Sequence, residues 1–418
     1  MTLCAVLAGC GVVSDGERTR LDRSSPEKDG RAASGDAPRA PAEEPLPASS
    51  GRIRIHYPAG GATIALAADG GGDLGALTAV EDDVWELTLE DVREPVAFRP
   101  TRDGSPAKGP PYVVEPGQSV EVYPWFDHET GTLAGFADAF ASRVLKNTHG
   151  VRMYTPPSYR ENTAKRYPVI YMHDGQIIFE RNMAPLEDSL AKASFGSFKT
   201  ETTMNAEIAA GRIPEAIVIG IDLNIVLDPR DPIPDRVKEY SPTPDDAFAE
   251  TTGTGQGPQY LRMIVDELRP VVNERLRTLA DREHTFMLGS SLGGLISVWA
   301  GLFEGDTFGA VAGLSIATYW DKEVVVTRAR GLELGPKTAA RIYTDTGEDE
   351  RADAPDAKFA ELMPSAEKQA RLEAALLTMG YAKGTTLMTV VDPSGRHHGD
   401  SWSTRLPKAL AFLLGPGR

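Results

Sequence analysis

Several runs from residue 168 onward are apolar at consecutive positions instead of alternate ones: residues 168–172 (PVIYM), 216–221 (AIVIGI), 285–288 (TFML) and 308–315 (FGAVAGLS). A strand that is buried on both faces reads this way, as in the middle of a parallel sheet covered by helices on each side. Residues 340–347 and 385–392 add two further β-rich runs. Between residues 258 and 279, Leu261, Ile264, Val265, Leu268, Val271, Val272 and Leu276 recur at helical spacing, which predicts an amphipathic helix ahead of the 285–288 strand. That strand runs through Gly289-Ser290-Ser291-Leu292-Gly293-Gly294 into a helix-compatible segment with Leu295, Ile296, Val298, Trp299 and Ala300. Strands alternating with helices predict an α/β fold with a mostly parallel, doubly wound sheet.

Upstream the rhythm differs. Short β-like runs at 52–57, 62–66, 84–89, 96–98 and 119–123 are separated by Gly, Pro and Asp, the pattern of a small all-β sandwich. Trp85, Tyr112, Tyr123, Trp125 and Phe126 either line a sugar-stacking face or fill the sandwich core. Residues 130–149 read as a connector, and residues 11–50, rich in Ser, Pro, Ala, Gly and mixed charge, should not fold. The expected division is 1–10 as a candidate lipoprotein signal, 11–50 as a disordered linker, 51–127 as the sandwich and 128–418 as the α/β domain.

The chemistry begins at Gly289-x-Ser291-x-Gly293. A serine in a G-x-S-x-G turn between strand and helix is exposed, and it lies beside the free N–H groups and favourable dipole of the helix N-terminus. Such a serine needs an acid and then a histidine downstream. Asp345, Glu348, Asp349 and Glu350 lie on or just beyond one predicted strand, and His397 and His398 follow another. The ends of parallel strands are where open α/β sheets place their sites. Asp400 beside the two histidines suggests a metal only weakly, because no other His or Cys is near in sequence. Neither a metal nor a cofactor is expected.

Five separated motifs together resemble the esterase group of α/β-hydrolases that holds esterase D-like, enterochelin-type and feruloyl esterases. They are Tyr167 to Gln176 (YPVIYMHDGQ), Arg236 with Glu239-Tyr240-Ser241-Pro242, the GSSLGG turn, Tyr343 to Gly347 (YTDTG), and His397-His398 ahead of Trp402 and Arg405-Leu406-Pro407. The resemblance covers residue 151 to the C-terminus, and a preceding immunoglobulin-like or starch-binding-type module is similar to those in several members. It implies Ser291 as nucleophile and Glu350 as acid, with Asp349 next, and His397 as base, with His398 as the alternative. It also implies main-chain oxyanion donors at Leu292 and at Gln176 or a near neighbour, and a substrate-side wall carrying Arg236 and Tyr240. His173, by its position in the oxyanion loop, is expected to be structural. Where the family commonly carries Ser-x-Ser and an aromatic pair, this chain has Ser315-Ile316-Ala317-Thr318-Tyr319-Trp320, a departure that bears on pocket shape.

Charge narrows the partners. With 44 Lys and Arg against 60 Asp and Glu, the net charge is −16, so nucleic acid or an anionic membrane surface would repel the chain. The expected substrate is a small-molecule or polysaccharide-linked ester. Both cysteines, Cys4 and Cys10, lie in the first ten residues, which leaves the rest without a disulfide or a thiolate metal site. Leu7-Ala8-Gly9-Cys10 resembles a bacterial lipobox, with Cys10 the lipidated residue of an envelope-tethered protein, although the short apolar run before it lacks Lys or Arg. The expected activity is serine ester hydrolysis. The competing expectation is a non-catalytic lipoprotein that binds carbohydrate or a siderophore on a hydrolase fold, and a transacylase would use the same residues.

Overall fold

The computed structural model describes residues 49–180, 196–223, 235–245, 254–332, 340–354 and 357–415. Cys10 and most of the expected linker lie outside the described residues.

Two small sheets form the N-terminal module. One has the order β3 (Thr78–Glu81), β4 (Val84–Leu89), β1 (Gly51–His56), β8 (Ser119–Val122), and the other joins β2 (Ile64–Ala68), β5 (Val96–Arg102) and β6 (Ser105–Pro106), with β7 (Tyr112–Val114) on β5. Their inward residues, among them Ile53, Ile55, Leu66, Phe98, Val114 and Val122, make one core. The period-2 alternation of β1, buried at Gly51, Ile53 and Ile55 and half-buried between, is that of a strand with one face on this core. Tyr112 and Phe126 belong to the same core and Trp85 packs against it, Trp125 is buried in a core of the following domain, and Tyr123 stacks on His56 at 4.8 Å. These aromatics therefore serve packing and form no continuous stacking face.

The larger sheet has eight strands in the order β16 (Leu387–Asp392), β15 (Arg341–Gly347), β14 (Ala310–Leu314), β13 (Thr285–Ser290), β11 (Val169–His173), β12 (Ile217–Ile221), β10 (Thr148–Thr155), β9 (Thr132–Ala141). Pairing is parallel from β12 through β16 and antiparallel at β9 and β10. The expected connector at 130–149 is thus largely strand. In β9 the large side chains Leu133, Phe136 and Phe140 are diluted by Ala and Gly, and the strand is a half-exposed edge, so its apolar alternation is faint in sequence.

The consecutive apolar runs have a direct cause. Along β11, Val169 and Tyr171 enter one core while Ile170 and Met172 enter the other, and β12 and β13 divide their side chains in the same way. The helices that cover these faces are, in chain order, α1 (Gly175–Ile178), α2 (Thr200–Ala209), α3 (Asp235–Tyr240), α4 (Gly257–Arg262), α5 (Arg269–Arg275), α6 (Leu292–Phe303), α7 (Trp320–Arg330), α8 (Ala357–Ala360), α9 (Ala366–Thr378) and α10 (Gly399–Leu414). A π turn over Met263–Leu268 links α4 to α5, just ahead of Pro270, which has no N–H to give the ladder.

One carboxylate ties the module to the sheet domain. Glu161 accepts from the backbone N–H of Phe126 (2.9 Å) and Asp127 (2.9 Å), from Tyr57 Oη (2.8 Å) and from Arg102 Nη1 (3.3 Å). Beside it Asn162 Nδ2 donates to the carbonyls of His56 and Pro124.

Candidate active site

Ser291 sits between the last residue of β13 and the first of α6, with φ 56° and ψ −121°. A positive φ is unusual for a side chain with a Cβ and persists only where neighbours enforce it. Here the Ser291 N–H donates to Leu314 O at 2.9 Å, and its carbonyl accepts from Leu295 N at 3.0 Å and Ala317 N at 3.1 Å. The flanking glycines allow a close approach. A Cβ on Gly289 would lie 2.6 Å from His173 Cδ2 and 2.7 Å from Gly293 C, and one on Gly293 would lie 3.2 Å from His173 Cβ. Without side chains at 289 and 293, the turn from β11 into α1 packs against the serine elbow.

Three side chains converge at the carboxyl ends of the parallel strands. Ser291 Oγ lies 3.1 Å from His397 Nε2, and His397 Nδ1 lies 2.7 Å from Glu350 Oε2. An ionised carboxylate only accepts, so Nδ1 carries the ring proton and Nε2 is left to accept from the serine hydroxyl. Glu350 opens a 3-10 turn, Glu350–Asp353, beyond β15, and its side chain is completely buried. Burial pushes its carboxyl up, but hydrogen bonds from His397, Ser315 and Gly347 outweigh burial and hold it below the ordinary glutamate value. The other end of the same turn grips the histidine loop: Asp353 Oδ2 accepts the His397 N–H (2.8 Å) and Oδ1 accepts from Arg396 Nε (2.8 Å).

Behind Glu350 lies a buried polar cluster. Glu350 Oε1 accepts from Ser315 Oγ (2.6 Å) and Gly347 N (2.7 Å), while Ser315 Oγ receives Trp402 Nε1 (2.9 Å) and Arg405 Nη2 (2.8 Å). Arg405 stands between two carboxylates, 3.3 Å from Asp345 Oδ1 and 3.6 Å from Glu350 Oε1. Burial pushes the Asp345 carboxyl up to about 7, against the pull of Arg405.

The other expected residues fall as follows. Asp349 is turned away from His397: it caps the 3-10 turn and pairs with Arg351. His398 caps α10, accepting from Asp400 N at 3.3 Å, and its half-exposed side chain makes no contact with Glu350 or Ser291. Leu292 and Gln176 lie in the first turns of α6 and α1, helices that leave adjacent strands, and helix first turns have main-chain N–H groups without helical partners. The Gln176 side chain points elsewhere, accepting from Leu223 N at 3.1 Å. Arg236 forms a two-pronged pair with the buried Asp174 (2.8 and 3.0 Å). Tyr240 is buried beneath that pair, its Oη accepting the Asp174 N–H at 3.1 Å, so it supports the pair and presents no face to a ligand. His173 bonds Tyr260 Oη (2.9 Å) and Ser297 Oγ (3.1 Å), and burial lowers its pKa to about 4. A neutral ring fixed on two hydroxyls is a structural element of the turn.

Sequence reasoning gave no role to Ser315, Arg405 and Asp174, though all three lie in quoted motifs, and it did not single out Asp353. For Arg405 a signal existed: on α10 it shares the buried stripe of Trp402, Leu406, Ala409, Leu410 and Leu413, and a charge on an apolar stripe requires buried partners.

A strained serine elbow at the centre of a mostly parallel eight-stranded sheet, with a histidine and an acid arriving from the ends of later strands, defines an α/β-hydrolase. The chain belongs to the esterase family whose model, described as "Putative esterase", matches residues 142–413, and it is an esterase of that class. Among curated proteins it is similar to the uncharacterized protein YbbA of Bacillus subtilis (strain 168), at 25% identity over 268 residues, covering 64% of this chain and 92% of that one. Similar solved structures include an IroE-like serine hydrolase from Shewanella oneidensis (19% identity, 68% of this chain and 80% of that one, TM-score 0.48). Another is the enterobactin esterase of Shigella flexneri (17% identity, 84% and 87%, TM-score 0.44). A third is a ferulic acid esterase from Anaeromyces mucronatus (16% identity, 69% and 91%, TM-score 0.45).

Proposed function

We propose that the protein hydrolyses carboxylic esters through an acyl-enzyme on Ser291. The observation that carries this is the unbroken row from Ser291 Oγ through His397 to Glu350, with contacts of 3.1 and 2.7 Å. His397 Nε2 takes the serine proton as Oγ attacks the ester carbonyl. Glu350 holds the ring in the productive tautomer and stabilises the imidazolium. The oxyanion develops next to the N-terminal turns of α6 and α1, where the main-chain N–H groups of Leu292 and Gln176 are the assigned donors. The imidazolium then protonates the leaving alcohol, and water repeats the attack with His397 again as base.

The substrate fits the class of small-molecule or polysaccharide-linked esters. The Arg236–Asp174 pair is assigned to the substrate-side wall, where the carboxylate already balances the guanidinium, so the wall favours neutral groups over free anions. Pre-steady-state kinetics with p-nitrophenyl acetate and butyrate test the reading. A burst of nitrophenol stoichiometric with enzyme, lost in Ser291→Ala, is expected. A folded enzyme with no turnover and no burst would overturn it in favour of ligand binding on a hydrolase fold. The lipid on Cys10 and an envelope location rest on the sequence alone. Intact mass of material purified from membranes of a bacterial host, compared with Cys10→Ala, tests them: a diacylglyceryl mass increase confined to Cys10 supports the tether, and its absence removes it.

A further inference from the structure

We infer that Ser315 is a positioning residue for the triad acid, an inference that rests on the reading of Ser291, His397 and Glu350 given above. A serine hydroxyl has one proton to donate and two lone pairs to accept with. At Ser315 both lone pairs are occupied, by the indole N–H of Trp402 (2.9 Å) and the guanidinium Nη2 of Arg405 (2.8 Å). Neither donor can reverse its role, because indole and guanidinium groups only donate. The hydroxyl proton is therefore left to point at Glu350 Oε1, 2.6 Å away. With Gly347 N–H on the same oxygen at 2.7 Å, Oε1 is fully engaged, and Oε2 is the oxygen presented to His397.

The backbone shows that this placement is imposed. Ser315 has φ 46°, in the left-handed region that a residue with a Cβ enters at a cost. It is completely buried, and its N–H donates to Asp345 O at 2.8 Å. The strained residue lies at the end of β14, next to β15, which leads into the Glu350 turn. Trp402 joins the two ends of the arrangement, since its ring also meets His397 edge-on at 5.2 Å.

The test measures kcat and KM on p-nitrophenyl butyrate for wild type, Ser291→Ala, Glu350→Gln, Ser315→Gly and the double variant Ser315→Gly/Glu350→Gln. Glycine removes the hydroxyl and relieves the positive φ, so loss of rate cannot be blamed on added strain. Ser315→Gly is expected to lower kcat about ten- to hundredfold, the scale of a hydrogen bond to a charged group, with KM within about twofold. In the Glu350→Gln background the same change is expected to cost less than about threefold, because a residue acting through the carboxylate has little left to act on. Trp402→Phe, which removes the indole N–H and leaves a smaller aromatic ring in its place, should give a smaller kcat loss that shrinks in the Glu350→Gln background, and it serves if Ser315→Gly does not fold. Full activity in Ser291→Ala would overturn the reading of Ser291 as the nucleophile. An inactive Ser291→Ala beside a Ser315→Gly of unchanged kcat would overturn this inference alone, as would an equal loss in both backgrounds, which marks a merely structural role.

Discussion

Replacing Glu350 by glutamine changes one oxygen to an NH2 at constant shape, and the surroundings dictate which way the amide faces. The Oε1 position receives the Ser315 hydroxyl at 2.6 Å and the Gly347 N–H at 2.7 Å, with Arg405 Nη1 3.6 Å off. An NH2 group there would face only donors, and Ser315 cannot turn its proton away because Trp402 and Arg405 fill its lone pairs. The amide oxygen must take that site, and the NH2 then points at His397 Nδ1. A donor in that place requires Nδ1 to accept, which moves the ring proton to Nε2, where it faces Ser291 Oγ and blocks the base. In the serine-protease triad the equivalent wrong-tautomer change lowers kcat about 10⁴-fold, and at about 1.4 kcal/mol per factor of ten the same effect here would be close to 5.5 kcal/mol. Steady-state hydrolysis of p-nitrophenyl butyrate should show Glu350→Gln reduced by about 10³- to 10⁴-fold in kcat, with KM little changed. A kcat within tenfold of wild type would refute the assignment of Glu350 as the acid.

Three further outcomes follow from the same geometry. His398→Ala should retain kcat within about threefold while His397→Ala loses several orders of magnitude; the reverse ranking would exchange the two histidines. Glu161→Ala takes the acceptor from two backbone N–H groups and from Tyr57 Oη, which keeps only Arg102, while Arg102 keeps Asp127, so chemical denaturation should show a loss on the order of 2–4 kcal/mol, and an unmoved midpoint would mean that this carboxylate does not fasten the module. For Asp345 the carboxyl is pushed by burial from 3.8 up to about 7, so between those values the folded state holds a proton that the unfolded state has released. Its contribution to stability is therefore lost as pH rises through this window. Wild type should lose stability relative to Asp345→Asn between pH 4.5 and 8, and a flat or opposite difference would contradict the burial argument.

The elements that carry the site were legible because the physics that shapes them is local. The elbow announces itself through Gly289 and Gly293, whose absent side chains admit the His173 turn, and the central strands through apolar runs that feed two cores at once. The β9 edge was not legible, since an edge strand half-exposed to solvent and built on alanines leaves little alternation to read. Choosing among neighbours was harder still. Asp349 and Glu350 are one residue apart, yet one caps its own turn and the other is carried to the histidine. His397 and His398 are separated by the same step, one held by Asp353 through its backbone and the other turned to cap a helix. Such choices depend on the dihedral path of a few loop residues, which no periodicity encodes. The Arg236 and Tyr240 segment was visible as a motif, but its partner Asp174 lies more than sixty residues away, and only the fold brings the pair together.

The most direct test of the central claim is labelling of the purified protein with a fluorophosphonate, followed by intact mass and peptide mapping. A single phosphonate on Ser291, formed at the rate at which ester hydrolysis is lost and absent from Ser291→Ala, is the predicted result. A folded wild-type protein that takes no label, or takes it at another residue, would contradict the account.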